Sequence, residues 1–406
     1  MTNRPRVAIV GVGGFAGHHR TFVTAVAEKG LVDHVAQVAP PFDQENLADE
    51  VAALRQRGVA IYPSLRELLA ARRNDLDLIT IPTGIPLHRA MTVACLEAGV
   101  NVLVEKPAAG CIQDVDAMIA ARQRTGKVCA VAYQHVYQAL ARTVKEWVCQ
   151  GRLGAVKGLS AFGCWPRPPE YYGRNGWAGQ LAVGDTWVLD GPQNNALSHA
   201  VNFMLYVGNA APRRSLTPAS VQAELYRANP IQAADTVFMR VETAEGPQVY
   251  FAVSHCTDRN VNPRFVLEAE NARVSIEYMD DLVAEWADGR REEHHFESAH
   301  TDELEDVVRV LAGHKVGPDC PLEVARAETL CACGTYESSA VHPLPADMLS
   351  RGQEGVIVAA GMTDLVMRGF EERALPSEMG ISWARAGEVI DLQGYDYFPT
   401  YRQMEQ

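Results

Sequence analysis

A chain of 406 residues with 47% apolar and 21% charged side chains is long enough for two or three domains, each with a core of its own. Its formal net charge of −13 opposes binding to nucleic acid or to an anionic membrane surface, both of the same sign. No apolar leader precedes the first strand, no run reaches membrane-spanning length, and the closest of the nine scattered cysteines, Cys331 and Cys333, lack C-x-x-C spacing; a cytoplasmic chain with reduced thiols, no metal and no disulfide framework is expected.

Arg6 to Val10 (RVAIV) reads as a buried strand, and Gly11-Val12-Gly13-Gly14-Phe15-Ala16-Gly17 follows at once. This is G-x-G-x-x-A with an extra glycine. Gly11 permits a tight turn, Gly13 lets the backbone approach a pyrophosphate, and Ala16 allows close helix–strand packing. The helix that runs to Lys29 offers its N-terminal N–H groups to the phosphates. His18 and His19 fall in its first turns, with nothing nearby in sequence to complete a metal set.

The alternation then repeats. His34 to Ala39 is a second strand, Leu47 to Gln56 a helix, and Asp77 to Pro82 a strand. Leu87, Met91, Ala94 and Ala98 recur at helical spacing, with Gly99 as the stop. Val100 to Val104 is a short apolar run that ends abruptly at Glu105-Lys106-Pro107. Proline cannot continue a central strand, so Lys106 should emerge at the carboxyl end of a parallel strand, where open α/β sheets bind ligands. Asp114 to Thr125 is a further helix and Lys127 to Tyr133 a further strand. Strands separated by helices of this length predict a Rossmann-type, doubly wound parallel sheet over residues 1–134. One position is off-pattern: where an acidic residue would hold the adenosine ribose, Ala39 is followed by Pro40 and Pro41. Asp43 or Glu45 is left to reach the ribose from the loop. No Arg or Lys lies between Pro40 and Asn46, which favours NAD over NADP.

Residues 135–342 predict a second, α+β domain with an open, mostly antiparallel sheet. A helix to about Gln150 and a turn at Gly151 to Gly154 precede a strand from Val156 to Trp165. The loop Trp165 to Gly179 (WPRPPEYYGRNGWAG) brings together Trp165, Arg167, Tyr171, Tyr172 and Trp177. Aromatic faces with arginine suit a polyhydroxylated ligand, which offers C–H patches for stacking and hydroxyls for hydrogen bonds. In Asp190 to Asn202, Asn195 and His199 are four apart and would share one helical face, with Asn202 a turn further. Alternating segments from Val221 to Trp286 form the sheet, with one face available to a partner subunit. His294 and His295 read as solvated edge residues. Thr301 to Ala312 and Glu323 to Ser339 read as helices. Beyond His342 lies an extension with a helix near Gly355 to Phe370 and an aromatic tail, Tyr395 to Tyr401, that would pack on the domains or on a neighbour.

In GVGGFAG, Thr80-Ile81-Pro82-Thr83 followed by His88, Glu105-Lys106-Pro107 and Asn195-x-x-x-His199, the chain resembles the glucose–fructose oxidoreductase / inositol dehydrogenase (Gfo/Idh/MocA) family. The resemblance implies an NAD(P)-dependent oxidoreductase of a sugar, cyclitol or related polyol, working as a homodimer or homotetramer. It implies cofactor contacts from Gly11, Gly13, Gly14, Phe15, Ala16, Pro82, Thr83, His88, Glu105 and Lys106. It also implies catalytic roles for Lys106, His199 and Asn195, with a substrate cleft drawing on Trp165, Arg167, Tyr172, Trp177, Asn195 and His199. A lysine can take a hydroxyl proton if burial and a cationic nicotinamide lower its pKa. Glu105 would orient it or satisfy backbone groups. Asn195 stands where the family usually has Asp, and an amide cannot take a proton. That departure leaves room for a redox-neutral enzyme that uses held NAD for transient oxidation during glycoside cleavage or elimination. Relatives that act as co-repressors leave a dinucleotide or sugar sensor as a third reading.

Overall fold

The computed structural model describes residues 4–297 and 301–402, which divide into two compact units. The first holds the described residues of 1–109, 114–137 and 299–325. The return at 299–325 is a finding, because the sequence pattern assigns that segment to the second domain.

In the first unit, β1 (Arg6–Val10), α1 (Phe15–Glu28), β2 (Asp33–Val38), α2 (Pro41–Asn46), α3 (Ala48–Gln56), β3 (Ala60–Tyr62), α4 (Leu65–Arg72), β4 (Leu78–Ile81), α5 (Ile85–Glu97), β5 (Asn101–Val104), α6 (Ile112–Thr125) and β6 (Cys129–Val131) follow in order. The sheet runs β3-β2-β1-β4-β5-β6, every pair parallel. Strands this apolar must be covered on both faces, and β4 is buried at every residue. The order reverses between β1 and β4, so the loops after β1, β4 and β5 rim the crevice where such sheets take ligands. β3 and α4 escape the sequence reading because a three-residue strand carries too little periodicity. The segment after β2, expected as loop, is the short helix α2, started by Pro41 at its first position.

After α7 (Gln134–Tyr137) the chain leaves this unit, to return with α11 (Asp302–Leu311). Leu304, Val307 and Val308 of α11 pack into one core with Val7, Ile9, Phe22 and Val23. That apolar stripe at helical spacing is what brings a segment so distant in sequence back to the first sheet.

The second unit comprises α8 (Ala139–Cys149), β7 (Val156–Cys164), α9 (Pro169–Gly173), β8 (Ala182–Val183), β9 (Thr186–Trp187), α10 (Ser198–Gly208), β10 (Pro218–Arg227), β11 (Thr236–Thr243), β12 (Gln248–Ser254), β13 (Val261–Ala269), β14 (Ala272–Glu277), β15 (Asp281–Trp286) and β16 (Arg291–His295), then most of α12 (Leu322–Ser338), β17 (Val341–Pro343), β18 (Leu349–Arg351), β19 (Ile357–Ala359), α13 (Met362–Glu372) and β20 (Ile390–Asp391). Its main sheet runs β16-β15-β14-β13-β7-β12-β11-β10-β17, antiparallel except where β7 meets β12 and β10 meets β17.

The face expected to be open to a partner is covered over its middle strands by the chain itself. Phe370 of α13 lies 4.7 Å from Phe162 of β7, and the Tyr250 hydroxyl donates to the Ala374 carbonyl at 2.7 Å. On the opposite face Phe203 of α10 meets Phe265 of β13 at 5.1 Å. The sequence of β12 explains both: Tyr250 and Ala252 point one way, Val249, Phe251 and Val253 the other, and all are buried. The helix expected from Gly355 begins at Met362, behind a left-handed Gly361 and the β18–β19 hairpin. The aromatic tail packs on its own unit. Buried Glu337 of α12 accepts the Tyr395 hydroxyl at 2.6 Å and the Tyr401 and Arg402 N–H groups at 3.0 and 2.7 Å. All nine cysteines are unbridged.

Candidate active site

The glycine turn is built as its sequence requires. Gly11 sits at φ 92° and Gly14 at φ 56°, backbone that other residues rarely adopt. Gly11 N–H donates to Val38 O, tying β1 to β2, and buried Gln37 donates from Nε2 to Gly11 O at 2.6 Å. Gly14 caps α1 with no side-chain acceptor and no acid in the first turn, so the positive end of the helix is left for an anion. A Cβ on Gly13 would come within 2.9 Å of Leu47 Cδ1, and Ala16 is buried against the turn. Arg20 reaches back to Val12 O at 2.9 Å, adding positive charge. This cradle fits a dinucleotide pyrophosphate. Of the two acids considered for the ribose, Asp43 is turned onto the Val12 N–H at 3.2 Å, while Glu45 is exposed on α2.

The rims after β4 and β5 are clasped together by His88. Its Nε2 faces Thr83 O at 2.9 Å and its Nδ1 faces Pro107 O at 2.8 Å, with the ring wholly buried. Burial holds His88 below its ordinary pKa, so the neutral ring donates to one carbonyl only. Both of its nitrogens thus face backbone carbonyls, one on each rim. Lys106 emerges half-buried beyond β5, and its bond to Pro107 is cis. Glu105 satisfies a backbone group beside it: its Oε2 accepts the Lys106 backbone N–H at 2.9 Å, and its Oε1 lies 3.0 Å from His19 Nε2. His19 is thus not a bystander, because the fold supplies the partner that sequence spacing does not. His135 of α7 was also missed. Burial, then the charge of Lys106, presses its pKa down to about 4, so a neutral imidazole stands within electrostatic reach of the lysine. Its place just past the last parallel strand was the available signal.

In the second unit Asn195 and His199 do not share a helix. α10 begins at Ser198, and Asn195 lies in the turn before it, its N–H bonded to Gly191 O. His199 and Asn202 are both on α10, and Asn202 is buried. The residue the sequence reading passed over is Asp190. Its Oδ1 accepts Asn195 Nδ2 at 2.6 Å, and its Oδ2 accepts Gly179 N–H at 2.6 Å and faces Arg174 at 3.4 Å. With 1% of its side chain exposed, it brings a buried carboxylate to the amide that stands where an acid was expected. The Trp165–Gly179 loop is ordered by stacked arginines. Arg167 lies 5.3 Å from the Trp165 ring centre and 4.7 Å from that of Tyr171; Arg174 lies 3.9 Å from Tyr171 and 5.1 Å from Trp177. Tyr172 sits edge-on to Tyr171, and His255 beneath the loop is pushed down to about 3 by burial and by Arg167.

Comparison with known proteins identifies the family. Residues 5–133 match the model of the GFO_IDH_MocA oxidoreductase family, NAD-binding Rossmann fold, and residues 141–275 match the GFO/IDH/MocA C-terminal domain, together more than half the chain. An inositol 2-dehydrogenase/D-chiro-inositol 3-dehydrogenase from Shouchella clausii is 32% identical over 127 residues, 30% of this chain and 35% of that protein. A UDP-N-acetylglucosamine 3-dehydrogenase from Acidithiobacillus ferrooxidans is 29% identical, covering 38% of this chain and 44% of that protein. The chain thus spans less than half the length of these curated relatives. Among solved structures, the WlbA dehydrogenase from Bordetella pertussis, in complex with NADH and UDP-GlcNAcA, superposes with a TM-score of 0.66 at 23% identity, covering 82% of this chain and 96% of that one. That likeness concerns the fold.

Proposed function

Because the chain belongs to the Gfo/Idh/MocA oxidoreductase family, we propose that it is an NAD-dependent oxidoreductase moving a hydride between nicotinamide and a hydroxyl-bearing carbon of a sugar, cyclitol or related polyol. The observation that carries the reading is Lys106, half-buried beyond β5 of an NAD-binding Rossmann unit, its backbone fixed by the Glu105 carboxylate. NAD bound there supplies the hydride acceptor. Gly11, Gly13, Gly14, Phe15 and Ala16 would hold its pyrophosphate, and Pro82, Thr83, Glu105 and Lys106 would line its nicotinamide side. Lys106 takes the hydroxyl proton. His199 exchanges or holds a substrate proton. Asn195 binds a hydroxyl, steered by Asp190. Trp165, Arg167, Tyr172 and Trp177 form the substrate-binding surface. Curated relatives that oxidise inositol and a UDP-sugar support the substrate class. No described helix is long and apolar enough to cross a membrane. A homodimer or homotetramer would pair through a surface other than the strands that α13 covers.

Asn195 favours one second reading, the redox-neutral enzyme, since an amide leaves less proton-transfer capacity than an acid. Lys106→Ala tests the first. NAD affinity should persist while turnover falls ~10²–10⁴-fold, the usual share of general acid–base catalysis. A loss of a few-fold would remove Lys106 from proton transfer.

A further inference from the structure

Three side chains far apart in sequence meet inside the first unit. His19 from α1, Glu105 beyond β5 and Glu303 from the first turn of α11 are 0%, 7% and 6% exposed. One imidazole nitrogen or carboxylate oxygen from each lies within 4.8 Å of the other two. Phe22 and Phe15 wall the imidazole, with ring centres 4.5 and 6.0 Å away. Among the described residues neither carboxylate is ion-paired with a lysine or arginine, and Glu303 Oε2 is buried without a hydrogen-bond partner. Two carboxylates this close and this dry cannot both ionise without a countercharge. Glu105 Oε2 accepts the Lys106 N–H and its Oε1 faces His19 Nε2 at 3.0 Å, while Glu303 Oε2 meets no hydrogen-bond partner.

We propose that Glu303 is a positioning residue held as a neutral carboxylic acid beside the Glu105 anion, so that Glu105 stays fixed between Glu303 and His19 while it carries the backbone N–H of Lys106. Burial first, then the Glu105 charge, then Asp302, push the Glu303 carboxyl upward, in keeping with that geometry. Tyr137 on α7 is a further titratable group within electrostatic reach of Glu303. The positioning role rests on the reading of Lys106 as the proton acceptor. The proton on Glu303 does not.

The test compares the full chain with its Glu303→Gln variant, whose amide keeps the shape and neutrality of the acid. Folding equilibria are measured in urea from pH 5 to pH 8, alongside NAD affinity and the pH profile of turnover. A group raised on folding gives stability that is whole below its ordinary value and is lost as pH rises toward its folded value. The wild type should therefore lose about tenfold in folding constant per pH unit relative to the variant across that window. The alkaline fall in kcat should flatten in the variant, with KM unchanged. A constant stability gap across pH overturns the proton on Glu303. So does stabilisation of wild type but not variant by Mn²⁺ or Zn²⁺ alone, which would mean that the carboxylates hold a cation. If the variant does not fold, infrared spectra of wild type and Glu303→Asp decide: a protonated carboxyl stretch at neutral pH that moves in the variant supports the proposal, and its absence refutes it. If no polyol is turned over, the function proposed for Lys106 fails while the urea comparison still reports the proton.

Discussion

Restoring the acid expected at position 195 should harm this protein. Asn195→Asp would set a second carboxylate where an amide now donates to Asp190 Oδ1 at 2.6 Å, against a side chain only 1% exposed. At that distance the repulsion of two charges is about 6 kcal/mol at an effective dielectric of 20, more than it costs to protonate one of them. The pair therefore takes up a proton. At pH 7 that costs about 4 kcal/mol, three units above an ordinary Asp value at about 1.4 kcal/mol each. Once protonated, the new acid donates to Asp190 much as the amide did. The penalty should shrink to about 1.5 kcal/mol at pH 5 and vanish near pH 4. Urea unfolding of wild type and variant at those three pH values measures it. A variant as stable as wild type at pH 7, or a gap that does not close on acidification, would refute the Asp190–Asn195 bond and with it the steering of the amide.

Other perturbations read other parts of the account. Gly14→Ala forces a side chain onto φ 56° and ψ −132°, at a cost of roughly 1–3 kcal/mol, and should weaken NAD in calorimetric titration; unchanged affinity would mean that the turn does not hold the pyrophosphate. Lys145→Met strips the buried ammonium from the carbonyls of Tyr206, Asn209 and Arg214, which it meets at 2.6, 2.6 and 2.9 Å, and should lower stability by about 2–4 kcal/mol in urea. A change below half a kcal/mol, on the order of an ordinary surface substitution, would show those carbonyls to be hydrated. Phe370→Ala should cost about 3–5 kcal/mol by opening the face over β7 and β12, and a neutral result would mean that α13 is not docked there.

How far the sequence led depended on how local each signal is. The parallel sheet was legible because strand, glycine turn and helix lie in one continuous stretch, and the turn at Glu105-Lys106-Pro107 because proline ends a strand wherever it stands. The partners of those residues were not. His19 becomes significant only when Glu105 and Glu303 arrive, and Glu303 belongs to a helix that a chain-order reading gives to the wrong unit. Asp190 was hidden by the assumption that Asn195 lies on a helix; a start at Ser198 leaves Asn195 in a turn, where its partner is set by backbone path rather than by spacing. The closed sheet face was written into β12, whose residues are apolar on both sides, but the strand was read as alternating. The arginine-stacked loop was recognised by composition, while the pairing of each guanidinium with its rings required the fold.

The most direct test of the central claim is reduced-nicotinamide absorbance on mixing the protein with NAD and, in turn, inositols, free sugars and UDP-sugars. The account predicts NADH formation with at least one of them, abolished by Lys106→Ala, which still binds NAD. Product formation with no change in nicotinamide would contradict net oxidation and leave the redox-neutral reading, and failure to bind NAD would contradict both.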